Sequence, residues 1–150
     1  MKRLQLLGLL LEREQGRRDE AQEAVRAALR AEEGARAQLE GLVAYRGEYC
    51  TRWQGQFAQS ATIEILRCYQ GFIARLDQAI TQQQGVVRTA QAGVEGARKR
   101  LVEREIRVAT VERLIARRRA LLARALDRRE QKNLDELSQR RSPAAELVGL

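Results

Sequence analysis

The chain has 150 residues, a single proline and only six aromatic side chains, and 32% of its residues are charged. That is long enough for one ordinary domain, but the even spread of charge leaves no apolar face wide enough for a thick core. Arg, Ala, Glu and Leu dominate, as in long helices and coiled coils, and the net charge of +8 favours acidic partners or other anionic surfaces.

The first predicted helix runs from about Lys2 to Phe57. Its opening, Met1 to Leu11, imitates a signal peptide. It passes into Glu12-Arg13-Glu14-Gln15-Gly16-Arg17-Arg18 without a small-residue cleavage site, so it reads as the first turns of the helix. Apolar residues recur along it at alternating spacings of 3 and 4: Leu4, Leu7, Leu11, Ala21, Val25, Ala28, Ala35, Leu39, Leu42, Tyr49 and Trp53. They fill 11 of 15 seam positions, and Glu14, Arg18, Glu32 and Arg46 are the exceptions.

A turn is expected over 58–60, where Gly55, Gln56, Gln59 and Ser60 supply the turn chemistry and Ser60 is the candidate N-cap. The second helix is expected from about 61 to 141, with Ser142-Pro143 as its stop and 142–150 as a frayed tail. Its stripe is Leu66, Tyr69, Ile73, Leu76, Ile80, Val87, Ala90, Val94, Ala97, Leu101, Val108, Val111, Ile115, Leu122 and Ala125. These fill 15 of 18 positions, failing at Gln83, Arg104 and Arg118. Positions whose numbers sum to 122 pair the two stripes: Leu11 with Val111, Val25 with Ala97, Trp53 with Tyr69. Two heptad seams mirrored about one point predict an all-α fold, a long antiparallel two-helix coiled-coil hairpin forming one rod over 1–150. Helix 2 outruns helix 1, so Leu121 to Arg141 is expected to be unpaired or weakly paired.

A second row flanks the seam. Gln38, Leu42, Tyr45 and Tyr49 share their spacing with Phe72, Leu76, Ala79 and Gln83, and the rows lie level when their numbers sum to 121. Tyr45, Phe72 and Ala79 fall beside the seam, and an apolar aromatic strip of this kind suits a partner surface. The other uneven feature is charge. Residues 98–129 carry 12 Lys/Arg against 4 Asp/Glu, which equals the whole excess. Arg113, Arg117, Arg119 and Arg124 avoid the seam and are the exposed candidates there.

The run Leu42-Val43-Ala44-Tyr45-Arg46-Gly47-Glu48-Tyr49 resembles the L-x-x-Y-x-x-E-Y segment of flagellar FliJ proteins. Tyr69-Gln70-Gly71-Phe72-Ile73-Ala74-Arg75-Leu76-Asp77-Gln78-Ala79-Ile80 is similar to their second-helix segment, and Glu130-Gln131-Lys132-Asn133-Leu134-Asp135-Glu136 to their C-terminal signature. Order and spacing match over essentially the whole chain. Position 83, a histidine in some members, is Gln here. The resemblance implies a cytoplasmic component of the flagellar type III export apparatus at the inner-membrane face. It implies docking in the hexameric export ATPase FliI, contact with the cytoplasmic domain of the gate protein FlhA, and association with FliH and substrate chaperones. It places the gate contact on Gln38, Leu42, Tyr45, Tyr49, Phe72, Leu76, Ala79 and Gln83, and the ATPase end by Arg113, Arg117, Arg119 and Arg124.

No catalytic, cofactor or metal residues are expected. The chain has no histidine, no Gly-rich phosphate loop after a strand, and no nucleophile beside a base. Cys50 and Cys68 form no C-x-x-C pair and read as free thiols. No apolar run reaches the ~18 residues of a membrane span. Two other readings compete. A stalk protein of a virulence-type injectisome shares the hairpin, though the tip-half motifs favour the flagellar branch. A nucleic-acid binder would use Arg98 to Arg129, but acidic residues interrupt that stretch and no aromatic ring lies within it to stack bases.

Overall fold

The computed structural model describes residues 2–148, and the side chains of residues 2–141. Two helices make up nearly all of it: α1, Lys2–Phe57, and α2, Ile63–Val148, with no strand among the described residues. They pack against each other as an all-α helical hairpin.

Local chemistry supports both helices. Glu23 and Arg26 (2.6 Å) and Glu32 and Arg36 (2.8 Å) pair across one turn of α1. Threonine is a poor helix former, yet four of them donate their hydroxyls to the carbonyl one turn back: Thr51 to Gly47, Thr81 to Asp77, Thr89 to Gly85 and Thr110 to Ile106. At the end of α1 the Ser60 N–H donates to the Gln56 carbonyl at 3.1 Å, so Ser60 closes that helix. The N-cap of α2 falls instead to Thr62, whose hydroxyl accepts the Ile65 N–H at 3.3 Å. That moves the helix start from the expected 61 to Ile63. The turn contains no residue with positive φ.

At the other end, α2 runs through Ser142-Pro143 to Val148, where the sequence reading stops it near 141. Proline has helical φ; it removes one ladder bond and crowds the preceding turn, which weakens a helix without forbidding it. The expected fraying at 149–150 lies outside the described residues.

By internal packing the chain divides into two compact units. The first, Arg17–Arg104, is a hairpin closed by the turn. Ala35, Leu76, Val87, Val94 and Ala97 form its core. Trp53 lies level with Tyr69, their ring centroids 6.2 Å apart, and Gln83 reaches the Ala35 carbonyl at 3.0 Å, which fixes the antiparallel pairing. Arg18 and Arg104 both occupy the seam and are half-buried. Arg18 turns to Asp19 at 3.1 Å, whereas Nη1 of Arg104 is buried without a hydrogen-bond partner.

The second unit, Met1–Gly16 with Glu105–Leu150, pairs the start of α1 with the distal part of α2. Val108, Val111 and Ile115 are buried there, and Leu4, Leu7 and Leu11 half-buried. One groove is lined by Leu4, Gly8, Leu11, Glu112, Ile115 and Ala116, the antiparallel level that the mirrored stripes require. Glu14 takes a seam position and is 8% exposed, with Oε2 unpartnered. From Arg119 to Arg141 every residue of α2 is exposed.

All 15 seam positions of α1 are buried or half-buried, including the four charged ones. On α2, three of the 18 are exposed: Leu66, Leu122 and Ala125, at the two ends of the stripe. The core is thin. Among the described residues no large side chain is fully buried, and the surface area is 12164 Å².

Candidate partner-binding surfaces

All six aromatic side chains of the protein join one network within the hairpin unit. Tyr45 meets Phe72 edge-on at 6.3 Å, and Phe72 meets Tyr49 at 4.5 Å. Tyr49 stacks on Tyr69 at 5.8 Å, and Tyr69 meets Trp53 at 6.2 Å and Phe57 edge-on at 5.1 Å. Each step pairs rings at 4.5–7 Å, the range in which aromatic contacts add to simple burial. Seam spacing places Tyr49, Trp53 and Tyr69 between the helices. Tyr45 and Phe72 fall one position to the side, so the network emerges onto the surface there.

Exposure grades across the strip. Tyr45 is 47% exposed, Gln38 is exposed, and Leu42, Tyr49, Phe72, Ala79 and Gln83 are half-buried. Leu76, at 8%, belongs to the core and supports the strip from beneath. Gln83 donates to both the Ala35 carbonyl and Gln38 Oε1, at 3.0 and 3.1 Å, so its amide is engaged inside the molecule. The guanidinium of Arg75 sits 5.9 Å from the Phe72 ring centre and gives the strip a cationic margin.

Sequence reasoning did not anticipate the polar link beneath these rings. Arg46, a seam exception, donates Nε to Asp77 Oδ1 at 2.5 Å and Nη2 to Oδ2 at 3.4 Å. Hydrogen bonding and charge attraction from Asp77 raise the Arg46 pKa above its ordinary value. Arg46 Nη1 also approaches Cys50 Sγ at 3.9 Å. The Tyr69 phenol is held above the ordinary tyrosine value, first by its hydrogen-bonding contact with Cys50 and then by desolvation. The signal for the ion pair was present: opposite charges at 46 and 77 lie within one residue of level in the mirrored register.

The basic surface lies in the other unit. Arg113, Arg117, Arg119 and Arg124 are all exposed, and none has an ion-pair partner among the described residues. Leucines accompany them. Arg3, Arg117 and Arg118 rim a groove floored by Leu6, Leu7, Leu114 and Leu121, and Leu6 and Leu121 are 65% and 47% exposed. Chemically this is a cationic edge around an apolar groove, suited to an acidic surface with apolar anchors.

A family model described as FliJ, flagellar FliJ protein, matches residues 1–146. The chain belongs to the FliJ family. FliJ proteins are components of the flagellar protein export apparatus, and that assignment applies to this chain. No curated protein and no solved structure gives a significant match. Among the described residues, no helix is long and apolar enough to cross a membrane, and no cluster of metal-ligating side chains occurs. The site residues expected from the sequence therefore fall into two groups, one in each unit of this FliJ protein.

Proposed function

We propose that this FliJ protein is a non-enzymatic, cytoplasmic adaptor of the export apparatus with two partner surfaces. The aromatic strip around Tyr45 and Phe72 contacts the cytoplasmic domain of the gate protein FlhA. The cationic, leucine-lined surface with Arg113, Arg117, Arg119 and Arg124 docks against the export ATPase FliI and promotes its ring assembly and activity. Handling of substrate chaperones and contact with FliH belong to the same reading.

The observation that carries the proposal is the aromatic network. A chain with six rings has gathered all of them into one patch that opens at Tyr45. Stabilising a seam does not require a half-exposed tyrosine beside it, whereas rigid, partly exposed aromatics are the usual anchors of interfaces. The ATPase surface is supported by charge. Exposed arginines without internal partners steer acidic surfaces and lose their effect as salt shortens the Debye length to ~8 Å at physiological ionic strength.

The test uses two variants of the full chain. Tyr45→Ala should lose gate binding and retain ATPase stimulation. Arg117→Glu with Arg124→Glu should lose ATPase stimulation and retain gate binding. Loss of both activities in either variant, or unaltered stimulation by the charge-reversed protein across a salt titration, would reject the assignment of separate surfaces.

A further inference from the structure

The strip is shared between two helices. Tyr45 comes from α1 and Phe72 from α2, so the surface exists only while the helices hold one level. An apolar heptad seam sets that level weakly, because a slide of one repeat offers another apolar layer; natural coiled coils fix register with polar residues at seam positions. Arg46 is such a residue. It interrupts the stripe one position after Tyr45, and its partner Asp77 follows Leu76. The planar guanidinium grips both carboxylate oxygens, a geometry with directional demands that a single charge contact lacks. The side chains of Arg46 and Asp77 are 38% and 52% exposed, so the pair adds little to stability, and an apolar residue at 46 would bury more.

We propose that Arg46 and Asp77 are positioning residues for the gate-binding strip: their bidentate pair sets the level of α1 against α2 that brings Tyr45 beside Phe72. The inference rests on the gate-binding reading of the strip and adds a condition to it. Binding by largely uncharged rings becomes dependent on a charge pair beneath them, and it weakens with ionic strength although the contacting groups are mostly uncharged. Gln83, hydrogen-bonded to Gln38 and to the Ala35 carbonyl, ties the same helices further along the strip.

The experiment measures binding of the full chain to the gate protein's cytoplasmic domain for Arg46→Asp, Asp77→Arg, the charge-swapped double variant, and the milder Arg46→Gln. Trp53 emission is recorded on each without partner, since the only tryptophan sits in the same network. Each single variant should bind about fivefold more weakly, the scale of one well-formed exposed pair. The double variant should recover to within about twofold, as complementary charges restore the level. Trp53 emission should shift in the single variants and return in the double one. Single variants that bind like the parent overturn the proposal, as does a folded double variant that fails to recover. Tyr45→Ala serves as the control on the underlying reading. If it binds normally, the strip is not the gate contact, and the Trp53 emission series then decides the positioning role by itself: an unchanged series rejects it.

Discussion

Leu76 and Tyr45 sit on the same strip but differ in exposure, 8% against 47%, and the difference separates two kinds of mutation. Leu76→Ala removes buried methyl groups and leaves a void, so it should lower stability by about 2–3 kcal/mol, at the lower end of core truncations. Tyr45→Ala should barely move the melting temperature and should weaken gate binding by about 2 kcal/mol, as expected of an interface anchor. Equal losses of stability and binding at Tyr45 would place its ring in the core instead. Tyr69 carries a pH signature. Its phenol holds the proton more tightly in the folded chain than in the unfolded one, through the Cys50 contact and desolvation. The resulting stabilisation is fully present below the ordinary value of 10.0 and is lost as pH rises through the higher folded value. Tyr69→Phe should therefore lose less stability than the parent across that alkaline window in chemical denaturation. An identical alkaline decline in both proteins would mean that the phenol is not held as described.

At the scale of the element, both helices contain glycines that their packing does not require. A Cβ at Gly41 or Gly93 would meet no atom within 4 Å, and neither residue has positive φ. Alanine at each should raise stability by roughly 0.5–1 kcal/mol, mostly by narrowing the unfolded ensemble. If export in motility assays falls while stability rises, the glycines serve bending; if neither stability nor export changes, the helices are already rigid there. The seam itself was readable from residue order, because a 3.5-residue period is a property of spacing alone. Glu14 and Arg46 are drawn into the seam by their neighbours, although neither is apolar. The N-cap was missed by two residues, since Ser60 and Thr62 offer equivalent hydroxyls and only the backbone path distinguishes them. The strip was legible as two level rows. Its continuation to Phe57 runs along α1 itself, where Tyr45, Tyr49, Trp53 and Phe57 follow one another at i, i+4 with centroids 5.5–6.2 Å apart. What the rows did not reveal is that Tyr69 of the opposite helix closes on three of these rings. The Arg46–Asp77 pair was hidden because an arginine at a seam position reads as a fault until its partner is seen.

At the scale of the whole molecule, the excess charge and the aromatic side chains occupy different stretches of sequence. The +8 is accounted for within residues 98–129, and no ring lies there. Salt should consequently act unequally on the two partner surfaces. ATPase stimulation should fall steadily from low to physiological ionic strength, as exposed charges are screened. Gate binding should change only by the few-fold that passes through Arg46 and Asp77. Parallel salt dependence in the two assays would mean that both partners read the same charges.

The thin seam has a thermal consequence. A globular monomer of 17.1 kDa exposes roughly 7,700 Å² by ordinary size scaling, whereas this chain exposes 12164 Å². Unfolding therefore uncovers less surface than in a globular protein of this size, roughly three quarters as much by the same scaling. Calorimetry should give a heat-capacity increment below the usual ~12–15 cal/mol/K per residue, and the stability curve should be correspondingly shallower with temperature. The solvated leucines at positions 6, 114 and 121 hold part of the missing increment in reserve. Covering them on assembly should make the heat of association fall with temperature, so part of the hydrophobic signature that most proteins show on folding would here appear on binding.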